Sequence, residues 1–182
     1  IGNICQRIDY ELLSSTIKGH KDKTFLFVGP VSAPEAKTSG IMDMPNTVFT
    51  GSKNMDDLPK YLYHMDWTII PFKQNKLTQS IYPLKINEYL SMGKPVVSTL
   101  FSEDIKQFED YISLENDGFG FSQSIEKELH NDSEDKQSVR MAIASKSPWK
   151  SRAEQFRQII EFIFILLSLG VCIFFFIKIL FL

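Results

Sequence analysis

Cysteine is nearly absent from this chain. Two of its 182 residues, Cys5 and Cys172, are cysteines, and they lie in very different surroundings. Such a pair is no disulfide framework, and a reducing compartment is the simpler reading. Histidine is almost as scarce. His20, His64 and His130 are scattered, and no His/Cys/Asp spacing suits zinc, so the sequence predicts no metal site. Charge of one sign is also missing: the net charge is -2. A nucleic-acid groove needs a clustered basic face, and none is present. There is no internal repeat and no low-complexity tract. Neither an initiator methionine nor a signal-peptide pattern opens the chain. Its first residues, "IGNI", read as a strand already under way, and the expectation is a fragment or the C-terminal half of something larger.

What is present reads as a globular chain with an apolar tail. An apolar fraction of 43% against a charged fraction of 23% suits about one domain that can bury a core. The tail "FIFILLSLGVCIFFF" with Ile177 is uncharged over sixteen residues, from Phe162 to Ile177. Counting through Leu182, with Lys178 snorkelling to the far interface, gives 21 residues, about what a bilayer core requires. The alternative is a buried core helix. A run that is apolar on every side needs more than one small domain to hide it. Lys146, Lys150, Arg152 and Arg157 precede the run and only Lys178 lies within its end, which places the globular part on the cytoplasmic side. The expected division is residues 1–160 as a soluble domain and 161–182 as a membrane segment.

The soluble part alternates strand and helix patterns. "IGNIC", "TFLFVG" (24–29), "NTVFTG" (46–51), "DWTIIPF" (66–72), "KPVVST" and "YISL" read as strands. The second is a continuous apolar run, as in a strand buried on both faces. Helices are predicted at "DYELLSSTIKGH", near Leu58 to Met65 with Pro59 in the first turn, from Pro83 to Met92, and near Ser102 to Asp110. Two polar helices lie between Gln123 and Lys146. A last helix starts at Ser147-Pro148 and runs into the tail. "APEAKTSGIMDMP" and "KQNKLTQS" read as loops. The alternation implies βαβ units and an α/β domain with one parallel, Rossmann-like sheet flanked by helices. Ligands on such sheets bind outside the carboxyl ends of the strands.

Few motifs carry chemistry. "DGFGFS" (117–122) is not a full dinucleotide fingerprint and reads as a turn. "NDS" at 131–133 matches a glycosylation acceptor that a cytoplasmic domain would leave inert. Asp56 and Asp57 read as solvated charges at a helix start. No Ser/His/Asp or Cys/His set assembles. The segment "IYPLKINEYLSMGKPVVST" (81–99) is different. Ile86, Tyr89 and Leu90 share one helix face, and Lys85 and Glu88 share another. That second pair is either a surface salt bridge worth under about 1 kcal/mol or a ligand handle. In the second case the backbone N–H groups of Ser80, Ile81 and Tyr82, with the helix dipole, would hold a phosphate. Glu88 would then take two ribose hydroxyls, and Lys85 would add charge beside the phosphates or sugar.

This segment resembles the nucleotide-sugar-binding segment of group 1 glycosyltransferases, retaining enzymes of the GT-B fold, whose members often read like "SPxKxxEYxAxGKPVVST". "TFLFVGPV", "PNTVFTGSKNMDDLPKYLYHMDWTIIPFKQNKLTQS" and "PWKSRAEQF" are similar to further blocks of that family's C-terminal domain, in the same order and at similar spacing. The resemblance covers residues 1 to about 160. It implies a donor-binding domain for a nucleotide-diphosphate sugar, with no bound metal or other cofactor, an unknown glycan or lipid-linked acceptor, and transfer with retention. By position it implies that Glu88 binds the ribose, that Gly51 and Ser52 lie against the base, and that Ile81 to Lys85 face the phosphates. Arg7 is the nearest basic side chain for the diphosphate. Two positions depart from the pattern: the usual Gly-Arg pair after the first strand is Gly2-Asn3, and a further glutamate many members carry is Ser80. The alternative function is a non-catalytic, membrane-tethered interaction domain that kept the fold and lost the site. Even the enzyme reading would require a second, N-terminal domain for turnover.

Overall fold

The computed structural model of the chain describes residues 1–146, 157–161 and 164. One compact unit spans Ile1–Ala144 and a second spans Ser145–Leu182. In the second, Arg157 and Glu161 form an i,i+4 ion pair at 2.8 Å. The helix expected from Ser147-Pro148, and nearly all of the apolar run 162–182, lie outside the described residues. Among the described residues no helix is long and apolar enough to cross a membrane.

In the first unit, caps and apolar spacing set the helices. Helix α1 (Tyr10–Gly19) starts where the Asp9 carboxylate accepts the Leu12 N–H at 3.0 Å, and it buries Leu13 and Ile17 completely. Strand β1 (Phe25–Phe27) follows, then α2 (Glu35–Thr38), β2 (Thr47–Phe49), α3 (Leu58–Tyr63), β3 (Thr68–Ile70), α4 (Lys76–Gln79), α5 (Leu84–Ser91), β4 (Val96–Ser98), β5 (Ser113–Leu114), α6 (Gly118–Asn131) and α7 (Glu134–Ser145). Two expected loops thus hold helical turns, α2 and α4. A capping box at Asn75 builds α4, its side chain accepting from Leu77 and Thr78 N–H. The expected helix near Ser102 is a 3-10 segment, Glu103–Phe108. "DGFGFS" is a helix start and not a turn, because the Asp117 carboxylate accepts the Gly120 N–H at 2.8 Å and caps α6.

All strand pairs are parallel, as predicted, but they form two sheets and not one. β1 pairs with β2, with Phe25 opposite Thr47 and Phe27 opposite Phe49. β4 lies between β3 and β5, with Thr68 opposite Val96 and Val97 opposite Ser113. The opening segment expected as a strand contributes single bridges only, Ile4 to Val31 and Ile8 to Phe72. β4 behaves as a strand covered on both faces: Val96 packs with Ile86, Tyr89 and Leu90 of α5, and Val97 with Leu12, Phe121 and Ile125 of α1 and α6. β1 does not. Phe25 is buried, but Leu26 and Phe27 are only half-buried, short of the two-sided burial its apolar run predicts.

Candidate functional site

Helix α5 is built from both ends. Pro83 precedes its first residue, and Ile86 N–H donates to the Pro83 carbonyl at 3.1 Å. At the other end Gly93 adopts φ 68°, and its N–H donates to the Leu90 carbonyl at 2.9 Å. A Cβ on Gly93 would lie 3.1 Å from Gln137 Cβ. Arg140, 3% exposed on α7, donates from Nε to the Gly93 carbonyl at 3.1 Å and pairs with Asp132. The end of α5 is therefore held from behind by a buried guanidinium. Ile86 and Leu90 are fully buried, leaving Lys85 and Glu88 on the open face.

Lys85 Nζ lies 2.6 Å from Glu88 Oε2, with the two side chains 33% and 51% exposed. The pair sits at a cavity of about 790 Å³ whose lining includes Arg7, Ile81, Tyr82, Pro83, Lys85 and Glu88. Arg7 donates from Nε to Cys5 Sγ at 3.1 Å, and its guanidinium lies 5.4 Å from the centre of the Phe72 ring. Five of the eight residues singled out in the sequence thus share one cavity. Gly51, Ser52 and Ser80 do not line it. Gly51 has φ 68°, and its carbonyl accepts the Gly29 N–H at 3.0 Å at the end of β2. Ser52 is exposed, and Ser80 is the exposed C-cap of α4.

The expected row of backbone N–H donors is corrected by the structure. Ile81 N–H donates to the Thr78 carbonyl at 3.0 Å, and Ser80 N–H turns to the same carbonyl. The extra turn α4 uses these groups internally. With the Ser80 and Ile81 amides engaged, positive charge at this end of the cavity comes from Lys85 and Arg7 and from the dipole of α5.

Sequence reasoning did not place the first residues of the chain against α5. The Ile1 α-amine donates to Tyr89 Oη at 3.1 Å, and Tyr89 Oη donates to the Ile1 carbonyl at 3.3 Å. Burial and then the Lys85 charge push the amine down to about 6, against a smaller opposing effect of Glu88. Burial likewise raises the Tyr89 phenol well above its ordinary value. A Cβ on Gly2 would lie 3.3 Å from Lys85 Cε, a tight contact, and Gly2 adopts φ 124°, which L side chains rarely take. Asn3, on the cavity wall, accepts from Ser32 Oγ at 2.8 Å. The glycine in "IGNI" was the available signal.

Comparisons with known proteins bear on the family and the fold. The family model for glycosyl transferases group 1 matches residues 4–132. A Bacillus subtilis (strain 168) protein, TuaH, named for a glycosyltransferase role in teichuronic acid biosynthesis, is 30% identical over 167 residues, which cover 89% of this chain and 41% of that protein. The solved structure of AviGT4, a glycosyltransferase involved in avilamycin A biosynthesis, superposes with a TM-score of 0.62 at 12% identity, over 88% of this chain and 50% of that one. WaaG, a glycosyltransferase involved in lipopolysaccharide biosynthesis, gives a TM-score of 0.50 at 18% identity, over 79% and 40%. The two structures share the fold, an α/β architecture with parallel strands. This chain spans half or less of each of these relatives.

Proposed function

The chain belongs to the glycosyl transferases group 1 family, and from that premise we propose that it is the donor-binding part of a membrane-attached glycosyltransferase that takes a nucleotide-diphosphate sugar. The observation that carries this reading is the placement of Lys85 and Glu88, one helical turn apart, at a cavity that also holds Arg7 and the start of α5. In the ligand-free chain the lysine and the carboxylate satisfy one another. A half-exposed pair of this kind is worth under about 1 kcal/mol, so a ligand can separate it at little cost. Lys85 then swings to the diphosphate and Glu88 accepts hydrogen bonds from two ribose hydroxyls.

In transfer, negative charge grows on the departing diphosphate. Fixed positive groups aimed at that charge lower the barrier, and here these are Lys85, Arg7 and the positive end of α5. The sugar would pass to a glycan or lipid-linked acceptor with retention of configuration and without a bound metal. The acceptor side would be supplied by a second, N-terminal domain. Two features weigh for a non-catalytic interaction domain: Asn3 at a position where the resemblance expects arginine, and Ser80 where many members carry a further glutamate.

The test is Glu88→Gln, read by calorimetry with uridine and guanosine diphosphates and with their 2′,3′-dideoxy analogues. Charge-assisted hydrogen bonds contribute roughly 1.5–3 kcal/mol each. The substitution should weaken binding of the accepted diphosphate tenfold or more, about 1.4 kcal/mol, and leave the dideoxy analogue nearly unaffected. Equal weakening of both ligands would remove Glu88 from the ribose. Absence of any nucleotide binding by the unsubstituted chain would favour the interaction domain.

A further inference from the structure

The two ends of α5 are held differently. At the cavity end, Pro83 supplies no side-chain cap. The far end closes in a Schellman motif: Lys94 N–H donates to the Tyr89 carbonyl at 3.1 Å, and Gly93 N–H donates to the Leu90 carbonyl at 2.9 Å. The Gly93 carbonyl is left for α7, where Arg140 Nε donates to it at 3.1 Å. The same guanidinium donates from Nη1 to Asp132 Oδ1 at 3.0 Å, and Gln137 Nε2 donates to Asp132 Oδ2 at 2.8 Å. Asp132 is itself the C-cap of α6. One buried cation thus joins the C-terminal ends of α5 and α6, where the dipoles of both helices favour positive charge.

What this join adds is direction. Burial of Ile86, Tyr89 and Leu90 against Val96 holds α5 on the sheet, but apolar burial is non-directional. A buried ion pair adds little net stability over an apolar pair of the same shape. A hydrogen bond from a planar guanidinium has a preferred length and angle, so it fixes a point along the helix axis. There is no slack behind that point. A Cβ on Gly93 would lie 3.1 Å from Gln137 Cβ and 3.4 Å from the Gln137 carbonyl oxygen, so α5 already abuts the backbone of α7. Glu88 is five positions before Gly93 and Lys85 eight, about 8 Å and about 12 Å along a helix axis. Over so short a rod, a shift at Gly93 is carried to both side chains.

We propose that Arg140 is a positioning residue for the donor site: by holding the Gly93 carbonyl it sets how far α5 reaches toward the cavity, and so where Glu88 meets its ligand. This deepens the donor reading and rests on it. The cavity lining includes Lys85 and Glu88 and does not include Arg140, so Arg140 acts through the helix. A carboxylate that accepts from two ribose hydroxyls needs both oxygens in range together, and hydrogen bonds weaken steeply as their geometry degrades. Lys85 carries a point charge on a flexible stem, and its attraction to a diphosphate tolerates a shift that the ribose contact does not. Arg140 therefore contributes to the preference for a ribose over its dideoxy counterpart, and little to the affinity for the diphosphate.

The test measures, by calorimetry on the full chain, how much more tightly uridine and guanosine diphosphates bind than their 2′,3′-dideoxy analogues. Arg140→Lys keeps a cation beside Asp132 but loses the planar fork that reaches both partners. It should cut this ratio by roughly threefold or more through weaker binding of the ribose form, with binding of the dideoxy form nearly unchanged. In the Glu88→Gln background the same substitution should cause no further loss. Ile125→Val, in the cluster on the other face of β4, controls for lost stability and should leave the ratio alone. If Arg140→Lys does not fold, Gly93→Ala, which presses α5 against Gln137, is read in the same way. An unchanged ratio, an equal loss for both ligands, a further loss on top of Glu88→Gln, or the same fall in Ile125→Val overturns the proposal and leaves Glu88 its ribose role. Failure of both variants to fold overturns it too, since the contact would then be structural. A chain that binds none of these diphosphates, or whose ratio Glu88→Gln does not change, overturns the donor reading and this one together.

Discussion

Lys85 is the residue on which the local electrostatics turn. Its ammonium pairs with Glu88 at 2.6 Å, and it adds to the burial that lowers the Ile1 α-amine. Glu88 works in the opposite direction, and the Tyr89 phenol is the other titratable group facing the amine. The amine has a folded value of about 6 against an ordinary value of 8.0. The unfolded chain therefore binds more protons than the folded one between those values, and stability rises with pH through that window. Below about pH 6 both states are protonated and the full penalty is present; above about pH 8 it has vanished. For the chain beginning at Ile1, urea unfolding should show stability increasing from pH 6 to pH 8. Acetylating the amine should remove that part of the slope. An unchanged slope after acetylation would mean that the amine is hydrated in solution and that other groups set the pH dependence.

At the scale of the element, α5 was legible because its signals are local. Pro83, the spacing of Ile86, Tyr89 and Leu90, and Gly93 give its limits to within one residue of Leu84–Ser91. The apolar runs likewise mark β1 to β4 to within a residue or two of their ends. What the sequence hid depends on partners far along the chain. The donors of Ser80 and Ile81 were assigned to a ligand because the turn α4, which uses them, looked like a polar loop. The two-sheet arrangement hid behind apolar runs that look alike whether or not a neighbour lies beside them. Of the residues singled out, Lys85, Glu88 and Arg7 line one cavity, whereas Gly51, Ser52 and Ser80 stand outside it. Arg140 gave no signal, since α7 reads as a polar helix and its target, the Gly93 carbonyl, is 47 positions away. Removing this guanidinium leaves a buried carbonyl and the Asp132 carboxylate without their main donor. Arg140→Met should therefore destabilise the domain by about 3 kcal/mol, read as a lower urea midpoint at unchanged slope. A loss under about 0.5 kcal/mol would show that α5 is held by its apolar face alone.

For the molecule as a whole, we propose that the apolar tail holds the domain at a membrane. Residues 162–182 carry one charge, Lys178, and follow four basic residues between 146 and 157. As a helix rising 1.5 Å per residue, 21 residues reach about 31 Å, close to the roughly 30 Å of a bilayer core. Lys178 near the far end can extend its ammonium to the headgroups. In this proposal the basic flank before the run would set the orientation, with the domain on the cytoplasmic side. An acceptor carried on a lipid would then lie near the surface to which the domain is tethered. Deleting Phe162 to Leu182 should release the domain from membranes during an alkaline wash, while the full chain stays in the pellet. Protease added to the outside of intact cells should leave the domain uncut. A full chain that is soluble without detergent would sink the anchor. A truncated chain that stays in the pellet would move membrane attachment to the surface of the domain itself, and cleavage from outside would reverse the orientation.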